Sequence, residues 1–315
     1  MPFDLIARRI LFAVPTLFGV AVIVFALGYL APGDPALAAL GLTSEGYTSF
    51  DAAEVERVRA ELGLDQPGYV RFAEWLGGAL VGDLGRSYVQ PFAVSDLIGR
   101  ALPVTLLLIA GTMTLAIVIG VPLGIVSAVW QGRWGDYLAR VIAILGVSTP
   151  TFWLALILIL VLAYTFPIFP ISASLERDGP IALVLPILAI ATHPAALIAR
   201  MMRASMLEVL AQDYIRTATA KGLSAYRVVM THALRNAINP VITVIGFQFG
   251  NLIGSAVAVE QIFALPGMGS LLIGAIYDKD VLVTQGVVLA IALVFILANL
   301  IVDLLYTLID PRIRL

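Results

Sequence analysis

Six stretches of this chain, each at least 21 residues long, contain no Asp, Glu, Lys or Arg: 10–33, 101–132, 141–175, 179–199, 236–259 and 281–302. That pattern leaves few folds open. A helix needs about 20 apolar residues to cross a hydrocarbon core ~30 Å thick, and only helices and closed barrels satisfy every backbone group in lipid. Barrel strands alternate in polarity and run to about 10 residues, whereas these runs are long and continuous. The expected fold is all-α: a membrane protein with six transmembrane helices. The next longest gap, 261–277, has 17 residues and holds Pro266, Gly267 and Gly269. It reads as a loop or interfacial turn, not a seventh span.

The rest of the composition narrows the function. Of 315 residues, 60% are hydrophobic and 13% charged, against about 25% charged in a soluble domain. A soluble enzyme, a disordered tail and a nucleic-acid binder are thereby excluded. The 19 basic and 21 acidic residues give a net charge of −2, so no strong field draws a polyanion. With no cysteine there is no disulfide framework or thiolate metal site. The two histidines, His193 and His232, lie far apart in sequence and make a poor zinc site. No metal and no catalytic residue is expected.

Orientation follows from the basic residues between spans. With the N-terminus inside, the inner segments hold twelve: Arg8, Arg9, Arg133, Arg140, Arg200, Arg203, Arg216, Lys221, Arg227, Arg235, Arg312 and Arg314. The two short outer loops hold only Arg177 and Lys279. The long segment 31–100 crosses regardless of charge. Both termini are expected in the cytoplasm. Ala36-Leu37-Ala38 resembles a signal-peptidase site, but the apolar run Ile10–Leu30 is 21 residues long, against about 7–15 for a signal core. The first span is read as retained.

The chain divides into an N-terminal end and first span (1–30), an external helical segment (31–100) and a five-span core (101–315). In the external segment, Asp51 to Glu54 resembles a capping box. Val55, Val58 and Leu62 then share a helical face, and Gly63 suits a helix end. Tyr69, Phe72, Leu76 and Leu80 suggest a second amphipathic helix, lying against the membrane or the bundle. The alternative is a small helical cap with no binding role, and amphipathicity leaves both open.

The sequence holds no energy source of its own. A phosphate-cradling loop ends in Gly-Lys-Ser/Thr, yet Lys221 precedes Gly222 and Lys279 precedes Asp280, and these are the two lysines present. Ion coupling favours ionisable groups deep in the spans. Asp303 and Glu260 are placed toward span ends, and His193 precedes Pro194, where the helix is expected to be interrupted.

The longest inner segment, 200–239, carries six basic and two acidic residues. Met206 to Lys221 lacks Gly and Pro and reads as a helix. Gly222 ends it, and Ser224 caps a second helix running until Pro240. In the fifth span, Gly246, Gly250 and Gly254 form one stripe, which lets membrane helices approach closely. Gln248, Asn251 and Ser255 form another, its centre about 130° away at ~100° per residue. These three polar residues are expected to line a translocation route. The alternative is that they hydrogen-bond to adjacent helices.

Asp213-Tyr214-Ile215-Arg216-Thr217-Ala218-Thr219-Ala220-Lys221-Gly222-Leu223-Ser224, followed by His232 to Pro240, resembles the cytoplasmic signature loop of bacterial ATP-binding-cassette importer permeases. Gly63-Leu64-Asp65-Gln66-Pro67, Gly82 to Ser87, Pro103 to Leu106, Glu260 to Phe263 with Pro266 to Gly269, Asp303 to Tyr306 and Asp310 to Arg314 are similar to its peptide (dipeptide, oligopeptide, nickel) branch, first of two permease subunits. The resemblance spans essentially the whole chain. Thr219 departs from the arginine usual there, and Leu282 from a common proline.

What the resemblance implies is a type I importer permease fold and a non-catalytic subunit of the bacterial inner membrane. Its partners would be a homologous second permease, two cytoplasmic ATPase subunits (or one fused pair) that bind ATP and magnesium, and an extracytoplasmic substrate-binding protein. This chain would bind no cofactor. Gln212, Asp213, Tyr214, Arg216, Thr217, Ala218, Lys221, Gly222 and Ser224 would form the coupling helix and its turn. Peptides are the implied substrates. An autonomous secondary transporter or channel is the rival reading. A membrane-embedded enzyme finds no nucleophile–base constellation in its support.

Overall fold

The structure is a computed structural model and describes residues 2–30, 34–40, 52–172 and 174–309, with side chains described over 11–30, 34–40, 53–172 and 174–302. In chain order the helices are α1 (Pro2–Leu30), α2 (Pro35–Ala39), α3 (Ala52–Glu61), α4 (Gly68–Leu80), α5 (Val94–Val129), α6 (Trp134–Ser148), α7 (Thr151–Leu158), α8 (Leu175–Asp178), α9 (Val184–Leu210), α10 (Asp213–Ala220), α11 (Ala225–Arg227), α12 (Leu234–Phe263), α13 (Met268–Tyr277) and α14 (Val281–Ile309). Two π-helical segments, Ile159–Thr165 and Val228–Ala233, continue α7 and α11. Among the described residues no strand forms; Arg86 and Ala93 make an isolated antiparallel bridge.

Five stretches are long and apolar enough to cross a membrane: Leu11–Leu30, Val94–Val129, Leu175–Leu210, Ala225–Phe263 and Val281–Val302. The sixth expected span, 141–175, is not a straight helix. It belongs to the pair Trp134–Ser148 and Thr151–Thr165, bent by 103°. The cause is local. Pro150 disfavours helical backbone at the preceding residue, and Thr149 sits extended at φ −82°, ψ 122°. Two other prolines do not act this way. Pro194 lies inside α9 and Pro240 inside α12, so the expected interruption at Pro194 and helix end at Pro240 are both corrected. In membrane helices neighbouring groups take over the freed carbonyl. The 261–277 gap is corrected as well, since most of it is the helix α13, which at 10 residues is too short to span.

The chain forms two units. The first comprises Phe3–Thr105 and Pro266–Leu297. In it, Val94, Leu97, Ile98 and Ala101 of α5 pack with Met268 and Ala275 of α13 and Val283 and Val287 of α14. A second cluster joins Ala21, Val24 and Phe25 of α1 to Phe72, Trp75 and Leu76 of α4, with the Phe25 and Phe72 rings edge to face at 5.2 Å. The two amphipathic helices expected within segment 31–100 thus form largely as read, with one exchange of face. Trp75 is the buried residue of α4, while Tyr69 and Leu80 are 77% and 82% exposed. Val55, Val58 and Leu62 are half-buried, and Gly63 is left-handed at φ +63°. The expected cap at Asp51 lies outside the described residues, as do the side chain of Asp303 and the segment from Asp310. Asp280 is almost fully buried. It accepts hydrogen bonds from the Ser87 hydroxyl and from the Val89 and Val283 amides, tying the 82–93 loop to the start of α14.

The second unit comprises Leu106–Leu265 with Ala298–Leu315. Its centre is α9, whose span is 61% buried, against 11% for the first span. A Cβ placed on Gly120 of α5 would lie 2.7 Å from the Ala195 carbonyl oxygen; one on Gly124 would lie 2.5 Å from Met202 Cβ and 2.6 Å from the Ala199 oxygen. On α6, a Cβ at Gly146 would lie 3.1 Å from the Thr192 oxygen. Small residues one turn apart let helices meet backbone to backbone in lipid. Gly124→Val is therefore expected to destabilise the protein by about 1–3 kcal/mol through overpacking. Gly19→Val, where a Cβ meets nothing within 4 Å, should be close to neutral. Thermal unfolding of both variants in detergent checks the contrast.

Candidate functional site

Two buried methionines, Met202 and Met206, lead α9 into the segment 200–239. The helix expected over 206–221 does not run through. It stops at Leu210 and restarts at Asp213, because Gln212 is extended at φ −73°, ψ 149°. No Gly, Pro or capping side chain marks this break, so propensity alone gives a continuous helix.

Beyond the break lies α10, an eight-residue helix anchored on one face. Ile215 and Ala218, three residues apart and so on the same side, are buried against Leu210, Leu223 and Val228. Around them Gln212, Asp213, Arg216, Thr217, Thr219 and Lys221 are exposed. Arg216 lies 3.5 Å from Asp213, a surface pair worth little energetically. Thr217 and Thr219 donate to the Asp213 and Ile215 carbonyls at 3.0 Å. The Tyr214 hydroxyl accepts from Asn236 Nδ2 at 2.8 Å and so links α10 to α12. After Lys221 the chain turns at Gly222, left-handed at φ +78°, where an added Cβ would meet nothing within 4 Å. The glycine is there for backbone conformation, not close packing. Ser224 then caps α11, its Oγ accepting from the Arg227 amide at 3.4 Å. The structure thus brings all nine residues from Gln212 to Ser224 singled out above into one exposed helix and its turn.

The same unit holds a node that sequence patterns left unread. Asp136, in the first turn of α6, is 1% exposed. It accepts from Ser127 Oγ at 2.7 Å, from the Gly132 amide at 3.0 Å, and from Arg203 Nε and Nη2 at 2.9 and 3.1 Å. Arg140 stands 3.4 Å away. This bidentate pair fixes α6 to the C-terminal part of α9, a short way before α10. In the sequence, Arg203 counts only as one more positive inside charge. The available signal was Gly132 followed by an acidic first turn, which marks a helix start but not a partner 67 residues away.

The polar stripe of α12 is unevenly placed. Gln248 is 4% exposed, within the unit, and its Oε1 accepts from Asn251 Nδ2 at 3.3 Å. Asn251 is exposed, and Ser255, half-buried, donates to the Asn251 carbonyl at 3.2 Å. On the glycine stripe Gly246 is buried, while a Cβ at Gly254 would touch nothing within 4 Å. Glu260, expected at an outer end, is fully buried near the end of α12. Among the described residues no group of three or more His, Asp or Glu is placed to hold a metal ion.

Comparison with known proteins shows the family. Residues 120–315 match the family described as binding-protein-dependent transport system inner membrane component, and residues 2–109 match the N-terminal family of the same systems. A protein of Brucella abortus named as a peptide transport system permease is 42% identical over 315 residues, with 98% of each chain covered. The glutathione transport system permease protein GsiC of Escherichia coli K12 is 41% identical over 309 residues, again with 98% of each covered. A chain of the inward-facing MetNI methionine ABC transporter shares the fold, at a TM-score of 0.55 and 19% identity, over 68% of this chain and 96% of that one.

Removing one partner of a buried ion pair costs about 3–5 kcal/mol, because the other charge is left uncompensated. Asp136→Ala is expected to lose stability on that scale, and Arg140→Ala much less, since Arg140 is 43% exposed and stands farther from the carboxylate, at 3.4 Å. Denaturant or thermal unfolding of the two variants side by side measures the difference.

Proposed function

The chain belongs to the family of binding-protein-dependent transport system inner membrane components; on that premise we propose that it forms half of the translocation pathway of an ATP-driven peptide importer. The observation that carries the reading is α10: an exposed, eight-residue amphipathic helix held to the bundle by Ile215 and Ala218. Its open face, Gln212, Asp213, Arg216, Thr217 and Lys221, is offered to a cytoplasmic ATPase subunit. The rigid route back into the membrane runs two ways. One is through Leu210 to α9, braced by Asp136–Arg203. The other is through Tyr214–Asn236 to α12.

The remaining parts accord with this role. The chain makes no covalent chemistry, and ATP with magnesium is bound by two ATPase subunits. A homologous permease completes the pathway, and an extracytoplasmic binding protein delivers the peptide. The basic inner segments place both termini in the cytoplasm. A rigid-body movement of α10 driven by nucleotide state is the switch. Asn251 and Ser255 line the route, with Gln248 behind them holding the Asn251 amide by its Oε1. The peptide assignment is supported by the relatives' names and by the branch motifs of the outer segment.

Two experiments test this. In the assembled transporter, Gly222→Val forces a β-branched residue into a left-handed turn, at about 1–2 kcal/mol, and should reduce substrate-stimulated ATP hydrolysis at least tenfold while the subunits still assemble. Gly222→Asn, which tolerates that conformation, should retain it. Wild-type coupling in Gly222→Val rejects the coupling role. Single cysteines in this cysteine-free chain test the pathway: a polar thiol reagent should label positions 251 and 255 in a way that changes with nucleotide, and position 248 more slowly. Labelling of 254 in their place would remove the assignment.

A further inference from the structure

In the first unit, α4, the loop that follows it and the start of α14 enclose a cavity of about 230 Å³. Two buried residues on its wall carry polar groups that pair with nothing. Gln285, in the second turn of α14, is 2% exposed, and its amide makes no hydrogen bond among the described residues. Trp75 of α4 is 8% exposed, and its indole N–H is buried without an acceptor. Buried polar side chains are normally hydrogen-bonded in a folded protein, so two exceptions on one wall point to a polar occupant.

Charges of both signs complete the lining. Arg71 is held in place: the Tyr88 hydroxyl accepts from its guanidinium, and it lies over the Tyr29 ring at 6.0 Å. Burial pushes the Tyr88 phenol up from its ordinary value, so it stays a neutral hydroxyl and leaves the arginine its charge. Glu74 and Asp83, both exposed, line the same cavity. Asp83 Oδ1 accepts from the Gly85 amide at 2.9 Å, and neither carboxylate makes an ion pair among the described residues.

Size and charge decide what fits. The volume falls below the ~300 Å³ at which pockets for drug-sized ligands begin, so the occupant is small. A simple anion would face two carboxylates, and a simple cation would face Arg71. A molecule with one charge of each sign suits both. Arg71 and Glu74 stand three residues apart on α4, with Cβ atoms about 5–6 Å from one another. Two extended residues span about 7 Å, so the ends of one dipeptide reach both side chains. Its single peptide bond matches Gln285, whose amide both donates and accepts.

We propose that this cavity binds a dipeptide with free ends: the carboxylate on Arg71, the ammonium beside Glu74 and Asp83, and the peptide bond against Gln285. The inference rests on the reading of the chain as a peptide importer subunit, and adds to it a peptide site on the permease itself. The site shares no residue with α10 or with the polar stripe of α12.

Binding of radiolabelled L-alanyl-L-alanine to the assembled transporter in lipid nanodiscs, prepared without its binding protein, tests the site. Saturable binding is expected. N-acetyl-L-alanyl-L-alanine amide, which carries neither charge, should compete at least tenfold more weakly, a comparison that needs no variant. Arg71→Gln should weaken dialanine at least tenfold, yet leave L-alanyl-L-alanine amide, which has no carboxylate, within twofold of its affinity for the unaltered protein. Glu74→Gln with Asp83→Asn should weaken dialanine as much and leave N-acetyl-L-alanyl-L-alanine, which has no ammonium, within twofold. A merely structural role would weaken every ligand alike. No saturable binding, equal competition by free and blocked peptides, or variants that affect all ligands equally or none would each overturn the proposal. ATP-driven peptide uptake by vesicles with the binding protein restored tests the importer reading separately. Uptake with no such site removes the inference alone, and absence of uptake removes the reading on which it rests.

Discussion

At Gly120 and Gly124 the backbone of α5 lies so near α9 that a single methyl group would meet carbonyl oxygens at 2.7 and 2.6 Å. The second unit depends on that approach. Lipid tails are as apolar as leucine, so burying side chains against another helix gains little there, and association comes from tight van der Waals contact and hydrogen bonds. The faces of α9 meet this need with alanines: Ala191, Ala195 and Ala199 toward the core, and Ala196 toward Gly146. A helix enclosed in this way moves with its neighbours or not at all. That rigidity suits an element whose last turn leads directly into the exposed α10.

Polar interactions are correspondingly few and placed at the ends. Asp136 brings Arg203, Ser127 and the Gly132 amide together at the foot of α6 and α9. In the first unit Asp280 does the same for Ser87 and the start of α14. Each carboxylate also accepts from a backbone amide beside a helix start, where the helix dipole favours negative charge. Buried carboxylates at these points specify which helix ends meet, a job that apolar faces of similar shape do poorly.

How much of this was legible in the sequence varied with the physics involved. Charge-free runs gave five spans directly, because excluding charge from lipid is a one-residue rule. The sixth run was legible as apolar but not as bent, although Thr149-Pro150 carries the reason. Pro194 and Pro240 carry the same warning and stay helical, so proline alone does not decide; the surrounding packing does. Gly222 and Ser224 were readable as a turn and a cap because both act locally. The break at Ala211–Gln212 was not, since Asp213 in the following first turn is a weak mark and no Gly, Pro or capping side chain accompanies it. Asp136 and Arg203 escaped notice because a partner 67 residues away leaves no spacing to read. On α12 the angular stripe was right as geometry, yet burial distinguishes Gln248 from Asn251, and burial depends on neighbours that a helical wheel does not contain.

The π-helical segment Val228–Ala233 between the signature loop and α12 has a consequence for how this protein tolerates change. A π turn closes its hydrogen-bonded ring with one residue more than an α turn. The segment therefore stores one residue of slack, equivalent to about 100° of rotation about the helix axis. A face drawn on the residues before it cannot be carried onto α12 by counting along the sequence. Conversely, loss of a single residue within Val228–Ala233 would relax the π turn to an ordinary α turn and leave the orientation of Gln248, Asn251 and the glycines unchanged. The link between the loop and the fifth span is thus the one stretch of that long helix where chain length and side-chain direction are uncoupled.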